Sequence, residues 1–181
     1  MTLSRPYVTS VSRSQKHNFS KHPQASIRLL TGLGVEGDAH AGATIQHRSR
    51  VKKDPHQPNL RQVHLFEAEG LQFLCENGFG VEPGDLGENI TTSGIDLHRL
   101  PVDTQLLIGT ARIQIKGLRN PCRQLDNFQA GLMNQLREKV DGALIRKGGV
   151  MGVVLAGGLV SVEDGIDVML PQQPHLDLLP V

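Results

Sequence analysis

Alternation of apolar and polar positions dominates this chain. In Thr104-Gln-Leu-Leu-Ile-Gly-Thr-Ala-Arg-Ile-Gln-Ile-Lys116, two β-branched runs meet at Gly109-Thr110, a Gly-X pair suited to a type II′ hairpin turn. A second hairpin is predicted where Leu159-Val-Ser-Val162 and Ile166-Asp-Val-Met-Leu170 flank Glu163-Asp164-Gly165. Gly149 to Leu155 reads as another buried strand, and Tyr7 to Val11 and Ile27 to Leu30 as early ones. Two stretches carry helical spacing instead: Leu65 to Glu76, through Leu65, Ala68, Leu71 and Cys75, and Gln129 to Val140, through Leu132, Met133, Leu136 and Val140. The pattern predicts a mainly β architecture, a β-barrel with a few peripheral α-helices, in one domain spanning residues 1–181. No repeat or linker interrupts it.

The segment from Ala41 to Gln62 departs from this pattern. Gln46-His-Arg-Ser-Arg-Val-Lys-Lys-Asp-Pro-His-Gln-Pro-Asn59 offers almost nothing to bury, which predicts a mobile, basic surface loop at about 41–60, either a binding loop or a solvated insertion. Over the whole chain, 19 basic and 18 acidic side chains leave a formal charge of +1, and there is one Tyr and no Trp. Neither a basic face nor stacking aromatics are available, so nucleic acid is not an expected partner. The longest uncharged stretch, Gly148 to Val162, is Gly-rich and shorter than the roughly 20 apolar residues that span a bilayer. No membrane partner is expected either. The start of the chain carries no signal-peptide pattern and the two cysteines, Cys75 and Cys122, are too few for a stapled framework, so the expected compartment is the cytoplasm.

Candidate chemistry gathers in four places. Gly32-Leu-Gly-Val-Glu-Gly37 has the G-x-G-x-x-G form, but Asp38-Ala-His-Ala-Gly42 continues as loop where a dinucleotide site needs a helix. A Gly-rich turn that brings Asp38 and His40 toward a cleft fits better. Of eight histidines, no pair has helical ligand spacing, so a dedicated zinc site is not expected; His40 and His64 stand out beside acidic or amide groups. Pro83-Gly-Asp-Leu-Gly-Glu-Asn-Ile-Thr-Thr92 concentrates Glu88, Asn89, Thr91 and Thr92 after two glycines, which suits either a polar heterocycle or a turn into a strand. Cys122 sits in Gly117-Leu-Arg-Asn-Pro-Cys-Arg-Gln-Leu-Asp126, at a strand end between Arg119 and Arg123. Two guanidinium groups beside a thiol favour the thiolate needed for nucleophilic attack or metal ligation. Cys75, on the apolar stripe of a predicted helix, reads as a small packed hydrophobe.

Five separated segments, in order along the chain, resemble the MOSC domain, named for the C-terminal domain of molybdenum cofactor sulfurase, and in particular its short stand-alone bacterial members. They are Gly34-Val-Glu-Gly-Asp-Ala-His-Ala-Gly42, Arg61-Gln-Val-His-Leu65, Pro83 to Thr92, Gly94-Ile-Asp-Leu97 and Leu118 to Asp126. The resemblance implies a MOSC-like β-barrel that binds a molybdenum-pterin cofactor, with the family's loop cysteine falling on Cys122. It implies one of two chemistries: reduction of N-hydroxylated substrates with molybdenum ligated by Cys122, or carriage of sulfur as a persulfide on Cys122 for delivery to a metal–sulfur cofactor. A thiolate serves both.

On the reductase reading, Glu88, Asn89, Thr91 and Thr92 would bind the pterin, with Asn120 and Gln124 beside them and Arg119 or Arg123 on its phosphate. Asp38, His40 and His64 would serve the small-molecule substrate or supply protons. With no cluster-binding cysteines, electrons would come from a separate electron-donor protein. On the sulfur-carrier reading the partner would be a cysteine desulfurase. A third reading, a binding or insertion chaperone for the pterin, would keep the pocket and tolerate losing the thiol. The absence of a fused aminotransferase-like sulfurase domain favours the reductase and removes any expectation of pyridoxal phosphate.

Overall fold

In the computed structural model, which describes residues 5–47, 51–52 and 54–181, strands dominate and helices are short. Arg48, Ser49, Arg50 and Lys53, at the centre of the predicted basic loop, lie outside the described residues. In chain order the elements are β1 (Tyr7–Arg13), β2 (His22–Gln24), β3 (Ser26–Leu30), β4 (Gly34–Val35), β5 (Val63–Glu67), α1 (Ala68–Glu76) and β6 (Ile90–Ser93). A single 3-10 turn at Leu97–Arg99 leads to β7 (Gln105–Ile108) and β8 (Ala111–Leu118), then α2 (Gln124–Phe128) and α3 (Leu132–Gln135). The chain finishes with β9 (Arg137–Val140), β10 (Ala143–Arg146), β11 (Val150–Ala156), β12 (Gly158–Ser161) and β13 (Ile166–Met169).

Eight strands form one sheet in the order β13-β7-β8-β11-β5-β6-β1-β2, antiparallel except for the β5–β6 pair. A three-stranded sheet, β12-β3-β4, contributes Ile27, Leu29, Val35 and Val160 to the same core as Val8, Leu65, Ile90, Ile113 and Ile115. Burying each such aliphatic side chain stabilises the fold by about 1.5–3 kcal/mol. The sheets do not close into the expected barrel. Between the edge strand β13 and β1 there is no strand ladder; the two meet around the turn before β13, where Val8 donates to Asp164, Glu163 donates to Val8 and Ile166, the first residue of β13, donates to Pro6. Two short edges and the small sheet finish the enclosure in place of a continuous ladder.

The Gly109-Thr110 hairpin forms as predicted, with Ile108 opposite Ala111 and positive φ at Gly109 alone of the two turn residues, as a type II′ turn requires. Three other expectations are corrected. The stretch predicted as a terminal hairpin is a corner between sheets: β12 pairs with β3 and β13 with β7, and Asp164 turns the chain by accepting the Ser161 N–H. The helix predicted from Leu65 begins only at Ala68. Residues 63–67 are strand because β6 and β11 flank them and every side chain there is buried, as in a strand covered on both faces. The buried face of α1 is then Leu71 and Leu74, and Cys75 is exposed, not packed.

Of the helix predicted over 129–140 only α3 forms, beginning after Gly131 at φ +87; α2 lies before the predicted stretch, and residues 137–140 are a strand paired with β10. The 41–60 segment is anchored at both ends. Ile45 is buried and donates to Gln57, and Asn59, also buried, donates to Ala43 through its backbone and to His40 and Gly42 through its side chain. Among the described residues no helix is long and apolar enough to cross a membrane.

Candidate functional site

A cavity of about 300 Å³ opens where the loops after β1, β4 and β8 converge on β5. The loop after β8 carries Arg119, Asn120 and Cys122. The Arg119 N–H donates to the Gly149 carbonyl at 2.9 Å, which ties this loop to the start of β11. Pro121 is buried under Gly148, and Cys122 emerges half-buried at the cavity wall, its Sγ 3.5 Å from Gln124 Oε1. The Arg119 side chain runs inward, with its guanidinium 5.7 Å from the centre of the Phe19 ring. Its Nη1 is buried without a partner. Burial pulls the Arg119 pKa down, while Cys122 and Glu88 act in the opposite sense. Of the two guanidinium groups predicted beside the thiol, the structure brings in Arg119 and leaves Arg123 exposed outside the lining.

Asp38 fastens the opposite wall. Its Oδ2 accepts from Lys21 Nζ at 2.6 Å, the Ser14 N–H at 3.2 Å and Asn89 Nδ2 at 3.1 Å. Its Oδ1 accepts from the His40 N–H at 2.9 Å and faces His40 Nδ1 at 3.2 Å. Burial alone would raise the Asp38 pKa, but the His40 hydrogen bond and the Lys21 charge outweigh it and hold the carboxyl well below its usual range. The Lys21 ammonium is pulled down by burial and held up by Asp38. Asp38 therefore stands behind the cavity as a charged anchor, while Lys21, His40 and Asn89 reach its surface.

His64, on β5, reaches the same cavity from below. Its Nε2 donates to the Gly148 carbonyl at 2.9 Å, and burial, reinforced by the Arg119 charge, puts its pKa well below that of an ordinary histidine. The ring is therefore neutral at pH 7, with its proton on Nε2 because a carbonyl can only accept. The 83–92 turn packs close: a Cβ at Gly84 would lie 2.6 Å from the Lys21 carbonyl, and one at Gly87 2.7 Å from that of Phe19. Both glycines have positive φ. Within this turn only Asn89 of the four predicted polar residues lines the cavity. Glu88, Thr91 and Thr92 are fully buried behind it, with Glu88 Oε1 accepting from the Gly84 N–H and the Thr91 hydroxyl, and burial raising the Glu88 pKa.

The structure thus brings together Cys122, Arg119, Asn120, Gln124, Asn89, His40 and His64, and adds residues that spacing alone did not single out. His17, Phe19, Lys21, His47, Asn59 and Arg61 also line the cavity. His17 packs edge-on against His40, with ring centres 5.1 Å apart. Among the described lining residues there is no carboxylate, against three cations and four histidines. A site so composed suits a polar, anionic ligand beside a thiol.

The MOSC domain model matches residues 52–167, a span that contains β5, the 83–92 turn and the Cys122 loop. No curated protein matches the chain. Among solved structures, the YuaD protein from Bacillus subtilis is similar at 22% identity and a TM-score of 0.73, covering 92% of this chain and 97% of that one. YiiM from Geobacillus stearothermophilus is similar at 16% identity and a TM-score of 0.66, over 95% of this chain and 79% of that one. YiiM from Escherichia coli gives 20% identity and 0.62, over 94% and 73%. These likenesses show the fold. With more than half of the sequence matched, the cysteine-bearing loop included, the chain belongs to the MOSC domain family, whose domains are molybdenum-cofactor-binding and sulfurase-like.

Proposed function

We propose that this protein binds a molybdenum-pterin cofactor in the cavity beside Cys122 and reduces N-hydroxylated small molecules. The observation that carries this reading is the pairing of a half-buried thiol with a buried guanidinium whose Nη1 has no partner, on a cavity whose described lining lacks carboxylates. Leaving such a donor unpaired is costly unless a ligand supplies the acceptor. The donor set fits the cofactor: Cys122 would hold the metal through a soft thiolate, Arg119 would take a phosphate, and the amides of Asn89, Asn120 and Gln124 would meet the heterocycle.

When bound, the cofactor supplies the two-electron chemistry that converts N–OH and two protons to N–H and water, with electrons from a separate donor protein. The chain's own residues orient and protect. Asp38 fixes the His40 ring at the cavity edge, where it can pass a proton to the departing oxygen, and the Gly148 carbonyl locks His64 in one tautomer. Arg119 brings fixed positive charge next to Cys122.

The test is the molybdenum-to-protein ratio of chain purified without air from a host that makes the cofactor, compared between wild type and Cys122→Ser. The expected result is near one metal per wild-type chain, loss in the variant, and turnover of an N-hydroxylated substrate by the wild type alone. No metal in either protein overturns the reading, and a mass gain of one sulfur atom on Cys122 would replace it with sulfur carriage.

A further inference from the structure

A second cavity, of about 450 Å³, lies at the C-terminal end of β5, between α1 and the 94–98 turn. Its walls are apolar: Phe66, Gly70, Phe73, Ile95 and Leu136. One side carries carboxylates, Glu67, Glu69 and Asp96. Glu67 is buried to more than nine-tenths, yet its bonds all fall on one oxygen: Oε1 accepts from the Leu97 N–H at 2.9 Å and from His98 Nδ1 at 2.9 Å. Glu69 Oε1 is taken by the Ser93 hydroxyl and the Gly94 N–H. Among the described lining residues the only ammonium, Lys147, is bound to Glu138 at 2.8 Å. Among the described residues no lysine or arginine pairs with Glu67, whose one ring partner is His98.

Glu67, Asp96 and His98 lie close enough together to suggest a metal site, but the His98 tautomer argues against one. Its Nε2 accepts the Gly149 N–H at 3.1 Å, so in the neutral ring the proton sits on Nδ1, where it is donated to Glu67. A metal on Nδ1 would require a proton on Nε2, pointing at another N–H. A neutral apolar guest would leave the second oxygen of Glu67 dehydrated and unpaired, which costs free energy. A cation with an apolar body meets all the walls at once: its charge faces Glu67, with the second oxygen of Asp96, whose Oδ2 already pairs with Arg99 Nε at 3.4 Å, beside it, and its body lies against Phe66 and Phe73, whose ring faces attract cations. The volume falls within the range of small-molecule sites.

We propose that this second cavity is a binding site for a small organic cation, an amine carried on an aromatic or aliphatic body, distinct from the Cys122 cavity and independent of what that cavity holds. The probe is benzylammonium, titrated into the isotopically labelled full chain and followed by the backbone amide resonances of Gly70, Gly94 and Leu97, with benzyl alcohol as the neutral isostere. Saturable shifts of these amides are expected, with benzyl alcohol binding about ten-fold or more weakly, as the loss of one charge-assisted contact implies. Glu67→Gln should weaken the amine to the level of the alcohol. Because Glu67 also accepts the Leu97 N–H, Asp96→Asn and Phe73→Ala, at exposed positions, give a second test, and each should weaken the amine several-fold. Equal affinity for amine and alcohol, absence of shifts at millimolar amine, or indifference to all three substitutions would overturn the proposal.

Discussion

Two buried carboxylates, Asp38 and Glu67, stand at the walls of the two cavities and are satisfied in opposite ways. Asp38 has an internal counter-ion, Lys21, and accepts hydrogen bonds on both oxygens. Glu67 has no ammonium or guanidinium partner and engages one oxygen only. The first arrangement is closed, so Asp38 shapes its cavity without needing a ligand, and the cation facing that cavity without a partner on Nη1 is Arg119, although Glu88 is near enough to act on its charge. The second is open, and what is missing is a cation. The sign of the ligand proposed for each cavity thus follows from which buried charge at its wall lacks a hydrogen-bonded counter-ion.

Breaking the closed arrangement should have the largest effect. Asp38→Asn leaves Lys21 buried without its counter-ion, and a loss of about 3–5 kcal/mol is expected in denaturant unfolding, as for other buried pairs broken on one side. Adding Lys21→Met should recover part of that loss, because no lone charge then remains inside. If Asp38→Asn costs no more than a surface substitution, Asp38 is not the anchor described here. Glu67→Gln, which strands no ammonium, should cost visibly less.

Next in size is the 148–149 turn, which bonds to a wall residue of each cavity, His64 of the first and His98 of the second. Gly149 has φ +87, and a Cβ there would overlap the Leu65 carbonyl and lie 2.8 Å from His64 Nε2. Gly149→Ala is expected to cost about 3 kcal/mol through backbone strain and overlap together. Gly148→Ala meets neighbours only at 3.3 Å, with an ordinary φ, and should cost markedly less. Equal melting temperatures for the two variants would contradict this.

How much of this could be read from the sequence depends on how local the information is. The Cys122 loop, Asn89, His40 and His64 were legible because short motifs name them, and the Gly109-Thr110 turn because one dipeptide specifies it. Asp141-Gly142 is an equally local turn signature, with both residues at positive φ, yet the helical spacing of Leu132, Leu136 and Val140 obscured it. Leu65 and Leu71 likewise share a helical stripe only on paper, since burial on both faces makes residues 63–67 a strand. His17, Phe19 and His47 reach the first cavity through loops whose course is set by tertiary contacts. The second cavity was invisible for the same reason: Glu67 and His98 meet at 2.9 Å across 31 residues of chain, and no periodicity records that.

A pH titration separates the two walls of the first cavity, His64 from Asp38. His64 has a folded pKa well below the unfolded value of about 6.5, so the unfolded chain binds the additional proton. Its contribution to stability is whole above that value and declines as pH falls below it, by up to about 1.4 kcal/mol per pH unit, until the folded ring itself protonates. His64→Gln should flatten the stability profile between pH 6.5 and 5. Asp38, with a depressed carboxyl, acts lower: its contribution is present above about pH 4 and is lost as pH falls toward its folded value. A wild-type profile that is level from pH 7 to 5 would contradict the burial of His64.

The smallest effect expected is the one that tests whether the two cavities communicate. His98 sits between them, donating to Glu67 and accepting from Gly149, while the neighbouring Gly148 carbonyl holds His64 and the Gly149 carbonyl holds Arg119. His98→Leu removes both bonds and should cost about 1–2 kcal/mol, the usual consequence of stranding a part-buried donor. Stability alone would not distinguish a positioning role from simple packing. The ring N–H resonance of His64 does, because its shift reports the Nε2 bond to Gly148, and it should move in His98→Leu although no hydrogen bond joins the two rings. His98→Gln can donate to Glu67 through its amide and accept from Gly149 through its oxygen, so it should restore both the stability and the resonance. If His98→Leu leaves the His64 signal in place, the shared turn is rigid without His98, and a ligand in the acidic cavity has no route through it to the wall of the basic one.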